Sequence, residues 1–172
     1  GRRVYLPMGF VDEAALERRV RPASVGRVTT AKDLAGPDVT LERATLRDLT
    51  DLVAFDSGVF GQARRQVLEA WPRGASRYPT VARMDGNVIG YSLGRSGSRC
   101  VHVGPIVASD ITLAAALLFK ALEAAGERPV LVDVFTRNTE WIQLLDQLGF
   151  AVERGFTRMH RGPNRFPGCT DL

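Results

Sequence analysis

The chain has 172 residues, of which 45% are hydrophobic and 24% charged, with a formal charge of +4 and a pI near 9.6. That balance excludes a disordered polar chain, and no run of about 18 apolar residues offers a membrane span. No apolar stretch follows a basic start in the first twenty residues, so no secretory leader is read and a cytoplasmic location is expected. Arginine carries nearly all of the basic charge, since Lys32 and Lys120 are the only lysines. No more than two basic residues are adjacent and no aromatic residues interleave with them. A phosphate-bearing small ligand therefore fits better than a nucleic acid, which is left as the weakest reading. Cys100 and Cys169 form no Cys-x-x-Cys or His/Cys cluster, so no metal site is expected.

In chain order, Tyr5 to Phe10 reads as a helix end followed by a strand start. Residues 21–38 read as a linker, with Pro22, Gly26, Gly36 and Pro37 and little periodicity. Val39 to Ala44 is a short strand. Thr45 with Asp48 forms a capping box, and Leu46, Leu49, Leu52 and Val53 follow at helical spacing. A second helix is expected over about Gln62 to Trp71. Thr80 to Leu93 reads as a hairpin turning at Asp85-Gly86, and Arg99 to Ala108 as one strand. A long helix spans about Ile111 to Ala125, stopped by Gly126. Pro129 to Phe135 is a strand, Asn138 caps a last helix that Gly149 ends, and Phe150 to Arg161 returns as strand. From Val39 the order is β-α-α-β-β-β-α-β-α-β, an α/β arrangement with helices on both faces of a mixed sheet.

Two sets of residues carry a family resemblance. Asn138, Leu144, Leu145, Gly149 and Phe150 resemble the Asn-x-x-Ala-x-x-Leu-Tyr-x-x-x-Gly-Phe segment of the Gcn5-related N-acetyltransferase (GNAT) superfamily. Asp56, Phe60-Gly61, Arg64, Leu68, Gly90-Tyr91, Arg95, Gly104 to Ala108, Asp110, Ala114, Asp133 and Thr157-Arg158-Met159 look like the C-terminal domain of a bacterial subgroup built from two tandem copies. The resemblance covers about residues 39–162 and implies the GNAT fold, a mixed and mostly antiparallel central sheet. It leaves 163–172 as a tail. Independently, a shift of 140 residues lays Gly9-Phe10 on Gly149-Phe150, Glu13 on Glu153, Leu16 on Phe156 and Arg18 on Arg158. Residues 1–20 then read as the last helix turn and final strand of a preceding copy, joined by linker 21–38. That tail is suited to pairing with a first GNAT domain or with a second copy of the chain.

The resemblance implies acetyl-CoA as cosubstrate and a small-molecule amine as acceptor, attacked directly. Ile106, Val107 and Ala108 are expected to meet the pantetheine arm. Thr112, Leu113 and Ala114 open the helix beside the pyrophosphate, and Asn138 is near the cofactor arm. The usual Gln/Arg-x-x-Gly-x-Gly/Ala loop reads Ser109-Asp110-Ile111-Thr112-Leu113-Ala114 here, without its basic residue and first glycine. Leu145 occupies the slot of the family's tyrosine acid, whereas the repeat-equivalent residue is Tyr5. His102 is the candidate general base on its strand, and Asp133, a carboxylate in an apolar strand, is the second catalytic candidate. Asp56, Arg64, Tyr91, Arg95 and Arg158 are candidate substrate contacts, and Tyr91 is also an alternative acid. Cys100 shares the face of His102 by alternation but has no triad partners. An acetyltransferase and a catalytically silent GNAT-like module both remain compatible with these residues.

Overall fold

A computed structural model describes residues 1–23, 31–61, 64–70 and 78–164. Its elements in chain order are α1 (Arg2–Tyr5) with a 3-10 turn (Leu6–Met8), β1 (Phe10–Arg21), α2 (Ala31–Ala35), β2 (Val39–Arg43), α3 (Leu49–Phe60), α4 (Arg65–Ala70), β3 (Thr80–Met84), β4 (Asn87–Ser96), β5 (Val101–Ala108), α5 (Ile111–Ala125), β6 (Val130–Phe135), α6 (Thr139–Gln147) and β7 (Ala151–Arg161). From β2 onward this is the order that hydrophobic period and caps specify. The Thr45–Asp48 capping box forms, although it caps a 3-10 turn (Leu46–Asp48) that leads into α3. Residues 62, 63 and 71 of the second expected helix, part of the linker and Cys169 lie outside the described residues.

The seven strands form one sheet in the order β2-β3-β4-β5-β6-β1-β7, antiparallel except for β5 against β6. It is an α/β fold, with α3 and α4 on one face and α5 and α6 on the other. Val81, Tyr91, Leu93 and Val107 pack with Leu52 and Leu68 on the first face. Val101, Val103, Val130, Val132 and Val134 pack under α5 and α6 on the second. The sheet includes residues 10–21, which the sequence reading sets apart from 39–162. β1 lies between β6 and β7, held by ladders on both sides. Two buried arginines fix it to α6: Arg19 bridges Glu17 and Asp146, and Arg21 donates to the Leu148 carbonyl at 2.9 Å.

Packing under β4 is tight enough to forbid a methyl group. A Cβ on Gly94 would sit 2.8 Å from Tyr78 Cβ and 3.2 Å from the His102 carbonyl oxygen. Backbone on one side and a buried ring stem on the other cannot yield cheaply. Gly94→Ala is expected to destabilise the chain by about 1–3 kcal/mol, read as a lower melting temperature by circular dichroism.

Candidate active site

Two backbone irregularities open a cleft in the middle of the sheet. β5 and β6 pair only at Val101–Val130 and His102–Leu131, and then diverge. Parallel strands that part leave N–H and C=O groups with no ladder partner, which a ligand is suited to satisfy. The second irregularity is a bulge in β5. Ser92 pairs with Ile106 and Gly94 with Val103, so three steps along β5 match two along β4. The extra residue falls at Gly104-Pro105, where Gly104 has φ +148, a conformation that side-chain-bearing residues rarely adopt. An inserted residue reverses which face each side chain meets. Val101 and Val103 therefore pack under α5, whereas Val107 packs under α3.

The resulting cavity is about 530 Å³. Val59 and Phe60 at the end of α3, with Arg64 just before α4, close one side, and Asp110, Ile111 and Ala114 at the start of α5 another. His102, Asp133, Ile106, Val107, Ala108, Asn138, Arg64, Arg158 and Ala114 all line it. Five of the expected contacts do not, Arg95 among them. Leu113 is buried against Ala82, Ala108 and Leu117, because its position on α5 faces the sheet. Thr112 lines a separate shallow depression beside α6. Asp56 and Tyr91 are fully buried beneath the cleft. Sequence reasoning does not single out Arg18, Phe135, Glu140 or Trp141, of which the last three line the cleft. The repeat of Arg18 and Arg158 was the available signal for Arg18.

At the vertex where β5 and β6 part, Arg18, Asp133 and His102 meet. Arg18 of β1 grips Asp133 bidentately, Nε to Oδ1 at 2.8 Å and Nη2 to Oδ2 at 2.9 Å. His102 Nε2 lies 3.5 Å from Asp133 Oδ2. Burial pushes the Asp133 carboxyl up, but the Arg18 and then the His102 bonds outweigh it and hold it well below the usual carboxylate range. Arg95 lies outside the lining residues and reaches over the vertex instead, its Nη2 3.3 Å from His102 Nδ1. A guanidinium only donates, so Nδ1 is the accepting nitrogen and the ring proton sits on Nε2, toward Asp133.

The Asp56 network has a different character. Asp56 accepts from Arg64 Nε at 3.0 Å and from the Tyr91 hydroxyl at 2.6 Å. Burial, and then the Asp56 carboxylate, push the Tyr91 phenol far above its ordinary value. Tyr91 is thus a fixed donor inside the core and not an acid facing the cleft. Only Arg64 emerges, its guanidinium 3.8 Å from the centre of the Phe60 ring. Arg158 Nε is paired with Glu13 Oε2 at 3.0 Å, and its guanidinium lies 6.0 Å from Phe60 and 5.9 Å from Phe135. The cleft wall on this side is therefore aromatic, flanked by arginines that already have acidic partners.

The helix end is only half prepared for an anion. The first amides of α5 have no carbonyl one turn back to bond. Asp110 takes one of them, its Oδ1 accepting from the Leu113 N–H at 2.9 Å, while Oδ2 accepts from Ser109 Oγ at 3.0 Å. A carboxylate thus stands where the resemblance implies a pyrophosphate. Asn138 caps α6 through the Trp141 N–H at 3.1 Å. Leu145 is wholly buried in the core between α6 and its neighbours. No hydroxyl or thiol side chain occurs among the described residues lining the cleft, and these residues contain no cluster suited to a metal ion. No helix among them is long and apolar enough to cross a membrane.

Known proteins share this architecture. An uncharacterized N-acetyltransferase, YitH, of Bacillus subtilis is 27% identical over 113 residues, 66% of this chain and 40% of its own length. A putative acetyltransferase from Pyrococcus horikoshii superposes over 99% of this chain and 53% of its own, with a TM-score of 0.68 at 22% identity. The chain thus spans about half the length of such relatives, or less. An Arabidopsis thaliana chain solved in complex with the bisubstrate analogue CoA-Ac-MVNAL superposes over 69% of this chain and 86% of its own, with a TM-score of 0.58 at 17% identity. At those identities the structural likenesses establish the fold alone. Residues 52–171 match the family model described as an acetyltransferase (GNAT) domain, and the chain belongs to that family.

Proposed function

We propose that the chain transfers an acetyl group from acetyl-CoA to the amine of a small molecule, by direct attack within the β5/β6 cleft. The observation that carries this reading is the vertex: a histidine with an accepting nitrogen, backed by an ionised carboxylate, placed where two strands part beside an apolar cavity. The family uses acetyl-CoA, and the parted strand edge fits its pantetheine arm, while Asp110 occupies part of the helix end that would meet its phosphates. Ile106, Val107 and Ala108 would offer the parted strand edge to the pantetheine arm, and the first turn of α5 would face the phosphates. Acetyl-CoA supplies an activated thioester, so the chain must orient the acceptor and manage one proton. His102 Nδ1 takes the proton from the attacking amine, directly or through a water molecule, once Arg95 is displaced from it. Asp133 steadies the imidazolium that results, and Arg18 keeps Asp133 ionised. The thiolate leaves and is reprotonated by that imidazolium or by solvent, since Leu145 cannot donate.

Calorimetric titration of the chain with acetyl-CoA, followed by an amine-panel assay for free thiol, tests the reading. Absence of binding at millimolar ligand would favour the second reading, a silent GNAT-like module. The buried Leu145 and the Asp110 carboxylate speak for that alternative. The same titration weighs Asp110. Asparagine caps a helix as well as aspartate but removes a like charge beside the phosphates. Asp110→Asn is expected to tighten acetyl-CoA binding about fivefold, and unchanged or weaker binding would show that the phosphates avoid this helix end.

A further inference from the structure

The ladder between β1 and β7 has an internal symmetry. Leu16 pairs with Phe156, the residue on which the 140-residue shift places it. Apart from the terminal Phe10–Arg161, every pair on one side of that point maps onto a pair on the other. Ala15–Thr157 becomes Glu17–Gly155, Arg18–Arg154 becomes Ala14–Arg158, Arg19–Val152 becomes Asp12–Met159, and Val20–Ala151 becomes Val11–His160. The two irregularities obey the same operation. β1 skips one residue between Asp12 and Ala14, and β7 skips one where Arg18–Arg154 gives way to Arg19–Val152. The skipped residues are Glu13 and Glu153, which the shift also equates. The preceding glycines match in conformation, Gly9 at φ +82 and Gly149 at φ +79. Chance similarity of two short segments does not produce a ladder closed under exchange, bulges included. β1 and β7 are the equivalent last strands of two halves, related by a two-fold axis between Leu16 and Phe156.

The axis dictates what belongs on the outer edge of β7. β1 is flanked by β7 and by β6, with Arg18 opposite Asp133. The same operation requires β7 to be flanked by β1 and by a strand equivalent to β6 from the other half. That strand would place its counterpart of Asp133 opposite Arg158. In this chain the outer edge of β7 has no strand partner among the described residues. The residues around α1 agree. Tyr5 is 47% exposed and Met8 52%, whereas their equivalents Leu145 and Leu148 are 0% and 8% exposed. Val4 and Leu6 are exposed as well. Val4, Tyr5 and Met8 match Leu144, Leu145 and Leu148, which pack into the core from α6, whereas Leu6 matches the exposed Asp146. The half-length coverage of the relatives leaves room in them for such a half.

We infer that the outer edge of β7, with the apolar stripe of Val4, Tyr5 and Met8, is a docking surface for a second GNAT-type half, whose β6-equivalent strand pairs antiparallel to β7, as β6 does to β1. The halves exchange last strands, and one sheet runs through both. This arrangement is independent of the proposed chemistry and stands whether or not the cleft is catalytic.

The strand that β7 awaits has a sequence model within the chain, namely β6. A fluorescein-labelled peptide of residues 128–136 is titrated against the 172-residue chain and followed by anisotropy. Saturable binding is expected, with a scrambled peptide inactive. The register predicts the charge dependence: the peptide with Asp133→Arg binds the unaltered chain about fivefold more weakly, and the Arg158→Glu chain reverses that preference. The peptide comparison alone suffices if Arg158→Glu fails to fold. No saturation at millimolar peptide, or equal binding of the scrambled or charge-swapped peptide to the unaltered chain, would overturn the inference. So would a dimer of the chain in sedimentation velocity that the peptide cannot dissociate, which would put a second copy on this edge.

Discussion

Replacing His102 by alanine is expected to lower the turnover of acetyl transfer by about a hundredfold or more, while acetyl-CoA affinity stays within about threefold. The argument is positional. His102 precedes the bulge on β5, so its ring faces the cleft vertex, and Ile106 to Ala108, the residues proposed to meet the cofactor, follow the bulge. Removal of the imidazole leaves that strand edge intact. What disappears is the one lining group among the described residues with an accepting nitrogen and a proton already directed at a carboxylate. Asp133 cannot replace it, because Arg18 holds that carboxyl well below the usual range and makes it a weak base. The depressed Asp133 pKa has a stability consequence of defined sign: its pairing contributes above the ordinary carboxylate pKa of about 4 and fades as the pH falls below it. An acid limb in the rate profile above that region therefore does not come from Asp133. Steady-state rates across pH, with calorimetric acetyl-CoA affinities for both proteins, check the expectation. Equal turnover in His102→Ala would remove His102 from the mechanism.

The element order was legible because its signals are local. Asp85-Gly86 turns the β3–β4 hairpin, Asp110 and Asn138 cap α5 and α6, and apolar residues recur at helical or alternating spacing. The cleft residues on β5 and β6 were legible for the same reason, since a titratable residue in an apolar strand stands out. The pairing of those residues was not. Arg18 reaches Asp133 across 115 positions of sequence, and no periodicity encodes a contact of that separation. None of the arginines singled out as candidate substrate contacts pairs with Asp133: Arg64 holds Asp56, Arg158 holds Glu13, and Arg95 holds His102. The bulge at Gly104-Pro105 was equally hidden. A strand read from Arg99 to Ala108 with a strict period of two puts Val103 and Val107 on one face, where the structure has them on opposite faces. Tyr91 and Asp56 carry chemistry-bearing groups that satisfy each other in the core, an outcome that residue type alone does not distinguish from a site.

Arg64→Met is expected to destabilise the fold by about 3 kcal/mol, a loss in melting temperature of roughly 10 °C for a domain of this size. Asp56 is the reason. Its side chain is 1% exposed, and Arg64 supplies the only cationic partner in its network among the described residues. Methionine conserves the apolar stem and much of the packing against Phe60, so the loss isolates the charge. Tyr91 still donates one hydrogen bond, but a single neutral donor does not offset a carboxylate enclosed by Leu52, Leu68 and Tyr91 on the α3 face. The figure sits at the low end of what broken buried pairs cost, because the Arg64 side chain is itself 24% exposed and water can approach. A second variant separates charge from packing. In Asp56→Asn/Arg64→Met the buried group is neutral and still accepts from Tyr91, so more than half of the lost stability should return. If the double variant is less stable than Arg64→Met alone, the arginine acts through packing on Phe60, and the carboxylate is not what it protects.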